Sequence, residues 1–168
     1  MIRTLVILFL FLTGIFSSCK VKYSFTGADI PQEAKTVSVG FFQNNAPLAN
    51  PTLSQTFTES LRDIFISQTK LSLVVINADL QFEGSITGYD VRPVAIQANE
   101  TASLNRLTIT VNVIYKNTFD EKKNFEQNFT RFADYSSAEQ LSTVEEGLIS
   151  EINKQLVQDI FDRSFGNW

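Results

Sequence analysis

Histidine is absent from the sequence, and Cys19 is its single cysteine. These two side chains supply most ligands of zinc, haem and iron–sulfur sites, and they are frequent bases and nucleophiles in catalysis. The sequence therefore predicts no metal or cofactor site of these kinds. Carboxylates, lysines, tyrosines and hydroxyls remain as the groups available for chemistry.

Positive charge is also scarce, with 14 Lys and Arg against 18 Asp and Glu and a net charge of −4. Nucleic-acid binding rewards a basic patch, so we expect no nucleic-acid partner. The glycines do not cluster, so no phosphate-binding loop is predicted. Two carboxylate pairs, Asp120-Glu121 and Glu145-Glu146, are sequence neighbours whose side chains diverge. A hydrolase acting through carboxylates is therefore the least favoured hypothesis, and we predict that the protein is not an enzyme.

One long apolar run is present, close to the first residue. Arg3 precedes eight uninterrupted apolar residues, 5–12, and Ser17 and Ser18 lead into Cys19. The apolar region of a signal peptide is about 7–15 residues long, whereas a membrane-spanning helix needs about 20. We therefore predict a lipoprotein signal peptide at residues 1–18, removed by cleavage before Cys19. The alternative is an ordinary secretory signal that leaves a spare thiol.

Acylation of Cys19 would anchor the mature protein to a membrane. Each buried methylene adds about 0.8 kcal/mol of membrane affinity, and one chain alone binds only marginally, so stable anchoring needs more than one chain on Cys19. Residues 19–34 are then predicted to be a tether and residues 35–168 a folded domain. Lys20, Val21 and Lys22 follow the cysteine without the acidic residues typical of retention or surface-export signals. This favours the periplasmic side of the outer membrane.

The hydrophobic periodicity of residues 35–168 predicts strands and two amphipathic helices. The first helix carries one apolar stripe, and Asn50 is placed to cap it. Ser142 and Glu145 have the spacing of a capping box for the second helix. The predicted strands are 36–42, with Val37, Val39 and Phe41 inward, then 71–76, buried and parallel to the first, 80–91, 107–115 and 125–135; the predicted helices are 51–68 and 143–165.

These elements predict an α+β fold. Because the strands offer one strongly apolar side, we expect a two-layer sandwich in which two helices are packed on one face of a four- to five-stranded mixed sheet. Phe132 breaks the alternation of the last strand, which a bulge or an edge position would explain. Trp168 is expected to cover a core rim or to meet a partner.

The outward faces of the predicted strands carry mostly uncharged polar side chains. A freely solvated sheet usually carries more Lys and Glu, whereas hydroxyls and amides suit a crowded wet contact in which a full charge is costly to desolvate. The lumen of a large β-barrel is such a place, and an ordinary exposed sheet is the alternative. The residues are Ser85, Thr87, Thr108, Thr110, Asn112, Asn128 and Thr130.

The order of these features resembles the lipopolysaccharide-assembly lipoprotein family LptE. The motifs that carry the resemblance are NPTLSQTFTE at 50–59, LQFEGSITGY at 80–89, NETASLNRLT at 99–108 and the pair Asn167-Trp168, typical of one branch of that family. The resemblance implies a plug inside the large β-barrel protein LptD, which helps that barrel fold and helps lipopolysaccharide reach the outer leaflet.

Family members are proposed to touch lipopolysaccharide through basic residues near a loop. By charge and loop position the candidates in this chain, for lipopolysaccharide or for the barrel, are Arg92, Arg106, Lys122 and Lys123. The acidic balance of the chain favours a mainly structural plug. The competing hypothesis is a lipid-anchored periplasmic module that binds a glycan or another small ligand between the sheet and its loops.

Overall fold

The computed structural model describes residues 30–47, 49–94 and 103–166. The predicted signal peptide, Cys19, the tether as far as residue 29 and Trp168 lie outside these ranges. The elements are β1 (Thr36–Val39), β2 (Gln43–Asn44), α1 (Leu53–Gln68), β3 (Ser72–Leu73), β4 (Leu80–Val94), β5 (Leu104–Asn117), a 3-10 turn (Glu121–Lys123), β6 (Phe125–Ser136) and α2 (Leu141–Phe165).

The strands of the described residues form one mixed sheet in the order β3-β1-β4-β5-β6, with β2 also pairing with β4. β1 pairs in parallel with β3 and with β4, and β2 pairs in parallel with β4. The three long strands β4, β5 and β6 are antiparallel neighbours. The predicted α+β class and mixed sheet are confirmed. The additional strand is β2, which begins directly after the predicted first strand 36–42.

Both helices pack on the same face of the sheet, as predicted. Phe82 of β4 and Tyr115 of β5 stack on that face with their ring centroids 4.7 Å apart. Phe65 of α1 stacks on Phe82 at 4.5 Å, and Phe165 of α2 meets Tyr115 edge to face at 6.2 Å. The predicted α1 stripe is buried throughout, at Leu53, Phe57, Leu61, Ile64 and Phe65. In the described part of the chain, neither helix has the length and apolar character that crossing a bilayer requires.

The inward residue after β1 is Phe42, so the prediction for Phe41 was wrong. Phe42 is fully buried, whereas Phe41 is 58% exposed. Val39 pairs with Phe82 and Gln43 pairs with Ser85, so four steps along the first segment match three along β4. This extra residue reverses the side on which each following side chain lies.

The segment 71–76 is parallel to β1, as predicted, but its burial is not confirmed. It forms only the two-residue edge strand β3, and Leu73, Val75 and Ile76 are exposed. A short apolar run does not reveal from sequence whether a strand is central or at an edge. Phe132 on the opposite edge strand, β6, is 45% exposed, so the edge explanation is confirmed and the paired register of β5 and β6 contains no bulge.

The N-terminal end of α2 is held by a contact that the sequence did not predict. The prediction that Asn50 caps α1 was wrong, because the N-cap residue is Thr52 and Asn50 closes the preceding turn by accepting hydrogen bonds from the backbone and hydroxyl of Thr52. Glu145 likewise does not form a capping box with Ser142. Its carboxylate accepts hydrogen bonds from the Tyr89 hydroxyl and from Asn50 Nδ2, and thereby ties β4, α1 and α2 together. Burial and this carboxylate raise the pKa of Tyr89.

Asp79 holds the beginning of β1 through one carboxylate oxygen. Oδ2 accepts hydrogen bonds from the backbone N–H groups of Lys35 at 2.9 Å and Thr36 at 3.0 Å, and from the Thr36 hydroxyl at 2.8 Å. The backbone bond from Lys35 makes the largest contribution to a pKa of Asp79 below its ordinary value of 3.8. The ionised carboxylate therefore stabilises the folded chain.

We expect Asp79→Asn to lower the free energy of unfolding at neutral pH by about 1 kcal/mol, because a charged acceptor becomes neutral. Since the folded pKa is depressed, this contribution is present above the unfolded pKa and is lost as the pH falls through the folded pKa. Thermal unfolding of both proteins between pH 7 and pH 3 measures it. The difference should be full above about pH 5 and shrink below the ordinary pKa; a difference that does not change with pH would contradict this role.

Candidate interaction surface on the open sheet face

The helices cover one face of the sheet, and no described element covers the other, which we call the open face. Its core is formed by β4, β5 and β6, whose register places the outward residues in rows across the three strands. Two central rows are Ser85–Asn112–Asn128 and Gly88–Thr110–Thr130. The polar residues that the alternation placed outward therefore lie side by side.

Neighbouring side chains of these rows bond to one another. The hydroxyls of Thr110 and Thr130 lie 2.9 Å apart, and Asn112 Nδ2 donates to Asn128 Oδ1 at 3.0 Å. Asn112 also lies 3.4 Å from Glu126. Such cross-strand pairs fix side-chain rotamers. The polar side chains of the open face are thus held in place by one another.

Thr87 owes its place on this face to an irregularity. The pairing of β4 with β5 shifts register between Ile86 and Gly88. Thr87 lies at that bulge, and its hydroxyl is 3.4 Å from the carbonyl oxygen of Thr110. Bulges locally re-aim a side chain, and here the bulge keeps a hydroxyl beside the central rows.

Most charged residues of the open face are paired with opposite charges, whereas Glu126 accepts a hydrogen bond from the neutral Asn112. Arg106 makes a two-pronged contact with Asp134, from Nε to Oδ1 at 2.7 Å and from a terminal nitrogen to Oδ2 at 2.8 Å. This contact lowers the pKa of Asp134 and raises that of Arg106. Arg92 lies 2.6 Å from Asp90, and Lys116 lies 3.5 Å from Glu83. The pairing leaves the face with little net charge.

Arg106 is further held by an aromatic side chain. Its guanidinium carbon lies 3.6 Å from the centroid of the Phe132 ring. The Phe132 ring covers the face of the guanidinium, and Asp134 pairs with its edge. Phe132, which broke the alternation in the sequence, is therefore partly covered by a neighbour on the open face.

The four basic candidates lie in two groups at opposite ends of the sheet. Arg92 and Arg106 are direct partners in the β4–β5 register, next to the β4–β5 connection. Lys122 and Lys123 lie in the 3-10 turn that joins β5 to β6. At a rise of roughly 3.3 Å per residue, β5 separates the two groups by about 35 Å. A single ligand headgroup cannot contact both groups.

One member of each carboxylate pair has a structural role. Asp120 caps the 3-10 turn by accepting the Lys122 backbone N–H at 3.1 Å, and Glu145 is held by Tyr89 and Asn50. The cross-strand partners Asp134 and Glu126 were missed from the sequence because their significance depends on the register between strands. Alternation alone shows which side a residue lies on and not which residue lies beside it.

Comparison with known proteins gives one family match. A family model described as LptE, lipopolysaccharide-assembly, matches residues 34–164. No curated protein sequence shows a significant match to this chain.

Several solved structures resemble the chain. Uncharacterized lipoprotein B from Nitrosomonas europaea is 16% identical, with 86% of this chain and 88% of that one covered and a TM-score of 0.50. A hypothetical protein from Chlamydia trachomatis is 10% identical, with 80% and 99% covered and a TM-score of 0.52. A minor lipoprotein from Acinetobacter baumannii is 16% identical, with 77% and 91% covered and a TM-score of 0.49. At these identities, the first two comparisons show a shared fold.

Proposed function

The chain belongs to the LptE lipopolysaccharide-assembly family, and from this membership we propose that it is a plug seated in the lumen of a large outer-membrane β-barrel of the LptD type. A role in lipopolysaccharide assembly at the cell envelope follows from the family, which is not a family of enzymes. Two further points are proposals: that the partner is a barrel of the LptD type, and that the open face is the surface that contacts it.

The observation that carries the proposal is the uncovered, polar and charge-paired open face. The lumen of a large barrel is lined with polar side chains and water, so an apolar face would be poorly matched to it. Unpaired charges would lose solvation on entering it. Thr110, Asn112 and their neighbours offer hydroxyls and amides whose hydrogen bonds can be shared with such a wall or with interfacial water.

Stoichiometric co-purification tests the proposal. Full-length tagged protein, extracted from membranes in mild detergent, should bring down one large β-barrel protein in a 1:1 ratio. Depleting the chain should also lower the amount of folded barrel, because the plug assists its assembly. Recovery of the chain alone, with barrel levels unchanged on depletion, would contradict the proposed function.

We propose that Arg92 is the residue that contacts the anionic glycolipid. Its side chain is 80% exposed, and its partner Asp90 is itself half exposed, so a phosphate can compete for the guanidinium. Arg106 is already held by Asp134 and Phe132. The lysines Lys122 and Lys123, in the 3-10 turn between β5 and β6, are proposed as barrel contacts.

The proposed position also requires an anchor, which we place at acylated Cys19 on the periplasmic side of the outer membrane. We expect Cys19→Ser, made in the full-length chain, to abolish incorporation of labelled fatty acid. In cells that lack the barrel, the variant should also be lost from the outer-membrane fraction. Fractionation followed by mass spectrometry measures both effects. An unchanged membrane fraction without acylation would contradict the lipid anchor.

A further inference from the structure

Half of the large apolar side chains that the described residues expose lie in one short stretch at an edge of the sheet. They are Ile66 in the last turn of α1, Leu73 in β3, and Val75 and Ile76 directly after it, and they are between 40% and 93% exposed. Single exposed apolar residues are ordinary, but a concentration of them marks a surface that another segment covers. We call these four residues the apolar edge.

The backbone of β3 is paired on one side only. The Ser72 N–H group donates to the carbonyl oxygen of Lys35 at 2.8 Å, and the Val74 N–H group donates to that of Val37 at 2.9 Å. Both bonds point toward β1. Successive residues of a strand direct their backbone groups to opposite sides, so those of Leu73 point away from β1, where no described strand lies. An added strand would pair with them.

The shortness of β3 indicates what kind of segment fits there. Because β3 has two residues, an added strand gains only a few backbone hydrogen bonds. These are too few to offset the translational and rotational freedom that a separate molecule loses on binding. A segment of the same chain is held close by its linker, at an effective concentration in the millimolar range. The apolar edge therefore suits a neighbouring segment of this chain.

The chain enters β1 directly beside this edge. Ile30, the first described residue, packs against the core, and the Ala34 N–H group donates to the Pro31 carbonyl oxygen in the turn that follows. β1 then begins next to β3. A strand added beyond β3 would lie two strand spacings, roughly 10 Å, from β1. Residues 26–35 can span that distance easily, since each residue extends by up to about 3.5 Å.

The predicted tether contains a segment with the pattern of a strand that has one apolar side. Apolar and polar residues alternate over residues 20–25, which is the period of a half-buried strand. No proline or acidic residue interrupts the segment. The apolar positions are Val21, Tyr23 and Phe25, and the polar positions are Lys20, Lys22 and Ser24.

We propose that residues 21–25 dock on the outer side of β3 as an additional antiparallel strand whose apolar side chains cover the apolar edge. The direction is antiparallel because the chain must reverse before it enters β1, which is parallel to β3. Docking places Cys19 beside the domain, so that an acyl anchor there holds the domain close to the membrane. The inference goes beyond the proposed function, since it uses none of the residues of the open face.

Disulfide trapping tests the docking in the full-length chain, made in cells that lack the barrel and purified in mild detergent. Tyr23→Cys combined with Leu73→Cys should form an intramolecular disulfide on mild oxidation, detected by mass spectrometry of the linked tryptic peptides. Lys22→Cys with Leu73→Cys, on the opposite side of the segment, should form several-fold less. Tyr23→Cys with Gln158→Cys, on the exposed side of α2, should form none. Cys19 is the single native cysteine, and its acylation removes the competing thiol.

A melting experiment without introduced cysteines provides an independent measurement. Tyr23→Ser combined with Phe25→Ser should lower the melting temperature of the full-length chain by about 3 °C or more, because the apolar edge loses its cover. Lys20→Ser combined with Lys22→Ser, in the same segment, should leave it unchanged. Equal disulfide yields from positions 22 and 23, a disulfide that joins two copies of the chain, or equal melting temperatures for the two double variants would overturn the proposal.

Discussion

Gly84→Ala is expected to lower the free energy of unfolding by at least about 3 kcal/mol, among the largest effects of a single methyl group. A Cβ at this position would lie 2.0 Å from the backbone oxygen of Asn112 and 2.6 Å from Cε1 of Phe42. The Phe42 ring could move, but the Asn112 oxygen belongs to the backbone of β5, which is paired on both sides. Relief therefore requires separation of β4 from β5, which also carry the open face.

Thermal unfolding of the full-length protein measures this effect. For a chain of this size, about 3 kcal/mol corresponds to a decrease in melting temperature of roughly 6–12 °C. Gly147→Ala is the matched control, because a Cβ there meets nothing within 4 Å and the residue lies within α2. It should stabilise the chain by up to about 1 kcal/mol. Equal melting temperatures for the two variants would contradict the packing around Gly84.

Charged substitutions on the open face should disrupt the proposed barrel contact by more than tenfold. Thr110→Lys and Asn112→Lys each place a charge in the central rows, at positions that are half-buried within the chain itself. On docking, such a charge must lose water, which costs several kcal/mol, and at position 112 the neighbouring Glu126 offsets only part of that cost. Each variant should be recovered with at most a tenth of the barrel protein that accompanies the unmodified chain.

Two controls separate contact from folding. Thr110→Val keeps the shape without charge and should retain most of the barrel. Gln158→Lys adds the same charge on the exposed side of α2, where it faces Asp162, the present partner of Gln158. It should leave the recovery of barrel unchanged. Loss of the barrel in Gln158→Lys to the same extent as in Asn112→Lys would show that charge anywhere is harmful and would contradict a specific open face.

The periodicity of the sequence determined most of the helix and strand assignments because each element buries one face. The α1 stripe and the alternation of β5 are set by local spacing, and every predicted inward residue of both is buried. Errors arose where the outcome depends on pairing between strands. One additional residue between Val39 and Gln43 buried Phe42 instead of Phe41, and the edge position of β3 left Val75 and Ile76 exposed.

The open face could be predicted only in part for the same reason. Alternation placed Thr110, Asn112 and Thr130 on one side, but their bonds depend on the β5–β6 register. The pairing of Arg106 with Asp134 likewise joins residues that are distant in sequence.

The account depends most on the open face lying against a barrel wall. Site-specific photo-crosslinking in living cells tests this directly, with a benzophenone amino acid at position 112 in one strain and at position 158 in another. The account predicts a strong adduct with one large β-barrel protein from position 112 and a weak or absent one from position 158. An adduct of equal or greater yield from position 158, or none from position 112, would contradict it.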